Sequence, residues 1–82
     1  MSKIKCQSVA DGPIPSERTV TVVTADGVEE EIIVAKEQAE DGYLSVSALG
    51  TGDHRVMVEL PRESSSGFWR LWVDRDLVEL AE

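Results

Sequence analysis

The sequence predicts an all-β domain, a small antiparallel barrel of five to six strands with at most one short helix. Three observations predict it. Apolar and polar residues alternate in five short stretches, 18–24, 28–34, 43–49, 54–60 and 68–73, and a shorter apolar run closes the chain at 77–80. Turn residues such as Ala25-Asp26-Gly27 and Gly50-Thr51-Gly52-Asp53 separate most of these stretches at short intervals. The 82 residues make one domain with a modest core, too few for a full two-sheet sandwich.

Residues 1–17 read as an irregular N-terminal arm, set apart from a barrel domain over 18–82. Asp11-Gly12-Pro13-Ile14-Pro15 carries two prolines that remove backbone donors and fix φ near −65°. Ile4, Cys6 and Val9 do not alternate cleanly, so a short edge strand over 3–9 is the most they support.

The hairpin over 18–34 is the clearest element. A two-residue Asp26-Gly27 loop would mix acids and valines on both faces. A three-residue loop Ala25-Asp26-Gly27, with Gly27 left-handed in a bulge, pairs Thr24 with Val28, Val22 with Glu30 and Val20 with Ile32. Val20, Val22, Val28, Ile32 and Val34 then share one face, while Thr19, Thr21, Val23, Glu29, Glu31 and Ile33 share the other. A one-residue slip flips every side chain, so the cleaner segregation decides the register. Glu30 is its single misfit.

Residues 35–42 combine good helix formers with Gly42 at the position of a helix C-terminus, and predict one or two helical turns. The stretch 43–49 sets Leu44, Val46 and Ala48 against Tyr43, Ser45 and Ser47. After a turn at 50–53, His54 opens a strand that sets Val56, Val58 and Leu60 against Arg55, Met57 and Glu59. Pro61 stops it, and 62–67 reads as a polar, flexible loop. In 68–73, pleating places Trp69, Leu71 and Val73 in the core and Phe68, Arg70 and Trp72 outside.

From about residue 28 to 80 this layout resembles a Src-homology-3-like barrel. Gly67-Phe68-Trp69-Arg70-Leu71-Trp72 sits where that fold places its Gly-aromatic strand, Asp74-Arg75-Asp76 where it places a one-turn 3₁₀ helix, and Leu77-Val78-Glu79-Leu80 resembles its last strand. The peptide-binding members carry an Ala-Leu-Tyr-Asp-Tyr-type first strand, a long acidic loop and a Pro-Ser-Asn-Tyr-type turn. This chain has none of these, so the resemblance implies the fold and not proline-rich peptide binding. An Sm-like barrel is the neighbouring resemblance, but its oligonucleotide-binding loops do not suit this charge.

Sixteen acids against eight bases give a net charge of −8. The bases are spread singly, whereas nucleic-acid binding requires Lys and Arg gathered against phosphates. An acidic surface is likewise repelled by anionic membranes. The chain starts with a basic Ser2-Lys3-Ile4-Lys5 but no apolar run follows, and no stretch approaches the ~20 apolar residues of a membrane span. A single Cys6 fits a reducing compartment. These features predict a cytoplasmic protein that binds neither nucleic acid nor membrane.

Residues for catalysis are missing from the pattern. His54 and Cys6 are the only imidazole and thiol, with no third group at a recognisable spacing, and Ser64-Ser65-Ser66 lacks a nucleophile-elbow context. No cofactor or metal motif is present, and Asp74-x-Asp76 reads as a turn pair. The sharpest candidate is the row Phe68, Arg70 and Trp72, since aromatics and Arg dominate interface hot spots. Tyr43 and Met57, on adjacent strands, either extend that patch or help to cover it, and cover is the plainer reading. The expected function is a non-catalytic protein-interaction module using this face or an exposed strand edge. The alternative is a metal- or small-molecule-responsive accessory domain built on Glu29, Glu30 and Glu31 or on Asp74 and Asp76.

Overall fold

A computed structural model describes residues 2–80; the outermost residues of the two expected units, 1, 81 and 82, lie outside them. The chain is all-β, with antiparallel strands in two sheets. The larger sheet has the order β7-β6-β5-β1-β8, and the smaller the order β2-β3-β4. These strands are β1 (Ser2–Lys5), β2 (Ser8–Asp11), β3 (Glu17–Val23), β4 (Glu29–Ala35), β5 (Tyr43–Gly52), β6 (Arg55–Glu59), β7 (Arg70–Asp74) and β8 (Val78–Glu79). Among the described residues helix is confined to one-turn 3₁₀ segments. Among the described residues no helix is long and apolar enough to cross a membrane.

The β3–β4 hairpin forms in the bulged register. Val20 faces Ile32 and Val22 faces Glu30, Thr24 N–H donates to Val28 O at 2.8 Å, and Gly27 has φ 82°. Val20, Val22, Ile32 and Val34 are buried as the segregation of faces requires. Val28 departs from it and is 52% exposed.

Residues 2–17 differ most from expectation. Instead of an irregular arm, they supply two strands. β1 lies between β5 and β8 inside the larger sheet, with Ile4 buried between Lys3 and Lys5. β2 lies along β3, pairing Ser8 with Thr21 and Asp11 with Arg18. At the link between them, Cys6 N–H donates to Gly42 O and Gln7 N–H to Thr21 O, so adjacent residues hold opposite sheets. Gly12 permits the close return of the chain: a Cβ there would stand 2.6 Å from the Glu17 carbonyl carbon.

Over 35–42 the expected helix is two single 3₁₀ turns, Lys36–Gln38 and Glu40–Gly42. Asp41 interrupts helical geometry with φ 57°. β5 runs beyond the expected 43–49. Its first half pairs with β1 and its second with β6, and a bulge between Ala48 and Gly50 shifts the register. The bulge accounts for Ala48 being exposed rather than inward. The β5–β6 turn sits one step later than the glycines suggest, at Asp53-His54. His54 therefore lies in the turn at φ 61° rather than opening a strand, a conformation that His tolerates better than most residues.

The core is aliphatic. Ile4, Val20, Ile32, Leu44, Val56 and Val73 are among its fully buried members, and among the described residues it holds no aromatic ring. The two sheets remain separate ladders rather than one closed ladder. Single backbone bonds bridge them: Ala25 N–H to Trp72 O and Ser65 N–H to Glu31 O, both 2.8 Å.

Candidate functional site

β7 is the edge strand of the larger sheet, and it borders the tip of the β3–β4 hairpin. Its inner residues behave as the alternation requires: Leu71 and Val73 are buried, while Arg70 and Trp72 face out. Trp69 does not join the core and is 51% exposed. It precedes the strand proper, and its indole N–H donates to Glu63 Oε2 at 3.1 Å. An indole brings a donor that must find a partner, and an acidic rim supplies one where an aliphatic core cannot.

The segment expected as a flexible loop, 62–67, is a hydrogen-bonded turn built on buried Ser64. Its N–H donates to Phe68 O (2.8 Å), its O accepts from Gly67 N–H (2.9 Å) and its Oγ accepts from Phe68 N–H (3.1 Å). Gly67 adopts φ 90°, the left-handed conformation that lets the chain reverse there. This turn fixes Phe68, 51% exposed, beside β7.

A groove of about 240 Å³ runs between these residues and the hairpin. Asp26, Val28 and Glu30 form one wall, and Phe68, Arg70 and Trp72 form the other. That space is below the ~300 Å³ at which small-molecule pockets usually begin, and suits one or two side chains. Trp72 is 37% exposed. Met57 pairs with Trp72 across the ladder, and the Arg55 guanidinium lies 6.0 Å from the ring centroid. A Cβ on Gly52 would touch the ring at 3.6 Å. The cations are engaged: Arg55 with Asp26 at 3.8 Å and Arg70 with Glu59 at 3.3 Å.

The structure thus brings Phe68, Arg70, Trp72 and Met57 to one region and leaves Tyr43 out. Tyr43 opens β5 opposite Lys5, with Lys3 Nζ 4.7 Å from its ring. A hydrogen bond to the Glu79 carboxylate, reinforced by that charge, raises its pKa above the ordinary phenol value.

Glu29, Glu30 and Glu31 do not act as one acidic cluster, because the strand splits them between faces. Glu29 and Glu31 are exposed, and Glu29 accepts from Gln7 Nε2 at 2.6 Å. Glu30 points inward and is only 5% exposed, with no hydrogen-bond partner for Oε1. Among the described residues no three His, Cys, Asp or Glu side chains group to hold a metal. Cys6 is half-buried, and burial pushes its thiol up to about 11. Sequence reasoning missed the hairpin wall of the groove. Its one signal was Glu30 breaking an otherwise apolar face. Compared with known proteins, the chain matches no family model, no curated protein and no solved structure.

Proposed function

We propose that this protein is a non-catalytic interaction module that binds a segment of a partner protein in the groove between the β3–β4 turn and β7. The observation that carries the reading is the exposure of Phe68 and Trp72 side by side along an apolar groove at a sheet edge. Clustered exposed apolar surface of this kind marks an interaction site, and Trp and Arg dominate such sites energetically. Ala25 N–H already caps the Trp72 carbonyl, so recognition there falls to side chains more than to strand addition.

The frame is read as a Src-homology-3-like barrel. Supporting it are the order β8-β1-β5-β6-β7, the sharing of β5 between β1 and β6, and the 3₁₀ turn Arg75–Leu77 before the last strand. On this reading β2, β3 and β4 elaborate the first connection. The net charge of −8 favours a protein partner over nucleic acid, and the lone thiol suits a reducing cytoplasm.

Panning a random dodecapeptide display library on the full chain tests the binding reading, with Trp72→Ala as comparison. Enriched sequences that bind the wild type and lose Trp72→Ala, while that variant keeps its amide NMR spectrum, are expected. No enrichment, or enrichment that Trp72→Ala leaves unchanged, would remove the groove from consideration.

A further inference from the structure

Building on that interaction reading, we propose that the groove receives a cationic side chain, Lys or Arg, from the partner, with the Glu30 carboxylate as its counter-ion. Glu30 occupies an inward position of β4 where Ile32 and Val34 are its neighbours on the same face and Val22 its cross-strand partner. Every one of those residues is aliphatic and sealed. Among them the carboxylate oxygen Oε1 is taken out of water, and no group of the described chain donates to it. The nearby cations do not serve it, since Arg55 pairs with Asp26 and Arg70 with Glu59.

Glu30 nevertheless lines the groove, together with Val28, Phe68 and Trp72. A mostly apolar groove with an unpaired carboxylate oxygen in its wall is complementary to an apolar stem ending in a cation. The stem packs along Val28 and Phe68, the charged head passes the Trp72 ring, where a cation is also favoured, and it ends at the carboxylate. The size of the groove admits one such side chain. A neutral apolar side chain would fill the same space and leave Glu30 unpaired, so charge sets the selectivity.

The test is an amide NMR titration of the full chain with n-butylguanidinium, n-butylammonium and neutral 1-pentanol, in wild type, Glu30→Gln and Glu30→Leu. Saturable shifts centred on Val28, Glu30 and Leu71 are expected with the two cations, at least tenfold weaker in both variants, while pentanol distinguishes none of the three proteins. Glu30→Leu should also melt above wild type, as a carboxylate kept for a ligand predicts. Equal cation binding by wild type and Glu30→Gln would overturn the proposal, as would shifts confined to other surfaces. A lower melting point for Glu30→Leu would overturn it too, by making Glu30 a structural residue. Peptides that need Trp72 but carry no common basic residue would sink the role of Glu30 and leave the interaction reading standing. Cation binding through Glu30 without any peptide enrichment would sink the interaction reading alone.

Discussion

Ile32 and Glu30 stand two residues apart on the same inward face of β4, at 0% and 5% exposure. The first is enclosed by other aliphatic side chains and the second ends in an oxygen without a partner. Equal burial therefore does opposite things. At Ile32 it removes apolar surface from water and stabilises the sheet pair. At Glu30 it strips a polar group of hydration and returns nothing within the described chain. The boundary between them marks where β4 stops serving the core and starts serving the groove.

The sharpest way to break this contrast is to replace both side chains. Ile32→Ala should lower stability by about 2–5 kcal/mol, the range for a large aliphatic residue lost from a packed core. Glu30→Leu should raise it by about 1–3 kcal/mol, because the unmet polar group disappears while volume is kept. Chemical denaturation of both variants decides the matter, and a loss at both positions would erase the distinction. Gly27→Val, at the turn that sets both residues inward, should cost about 1–2 kcal/mol by backbone strain alone. A Cβ there meets nothing within 4 Å, so a larger loss would reveal contacts the turn does not show. Trp69→Ala should cost about 1–2 kcal/mol, below the ~3–5 kcal/mol of an enclosed ring, since half its surface is already in water.

The smallest effect concerns another partly buried ionisable group. Cys6 is held neutral, its pKa raised by burial to about 11. The folded state therefore keeps its proton at a pH where the unfolded thiol, with its ordinary pKa of about 9, has lost it. That contribution to stability is complete below about pH 8 and declines as pH rises toward 11. Comparing wild type with Cys6→Ala across pH 7–11 should show a steeper fall in the first, most of the difference arising between pH 9 and 11 and the fall left in the second including that of Tyr43.

Local information explains what could be read from the residues. The register of β3 and β4 followed from one turn and the segregation of faces, because partners such as Thr24 and Val28 are close in sequence and a slip would bury acids. Leu71 and Val73 were assigned inward for the same reason. β1 escaped notice because its buried apolar side chain is Ile4 alone, in a strand of four residues, and its partners in β5 and β8 are remote. Alternation has no length over which to show there. Parity puts Trp69 in the core, a rule that fails where the chain is not yet in β7. Parity also cannot assemble a site from two sheets. Phe68, Arg70 and Trp72 were legible as a row, but the hairpin wall facing them depends on contacts between separate ladders, and Tyr43 was grouped with them across a distance the pleat does not span.

The position of β1 also orders events in time. It is made before both of its partners, β5 and β8, and Ile4 gains both its neighbours only when Val78 has emerged to lie beside it. Until then β1 has β5 on one side and an open row of amides on the other. Closing contacts between such distant parts of a chain is slow, on the scale of milliseconds to seconds for β-rich domains. During synthesis, then, residues 2–5 form a waiting edge, and Val78 and Glu79 are the residues that end the wait.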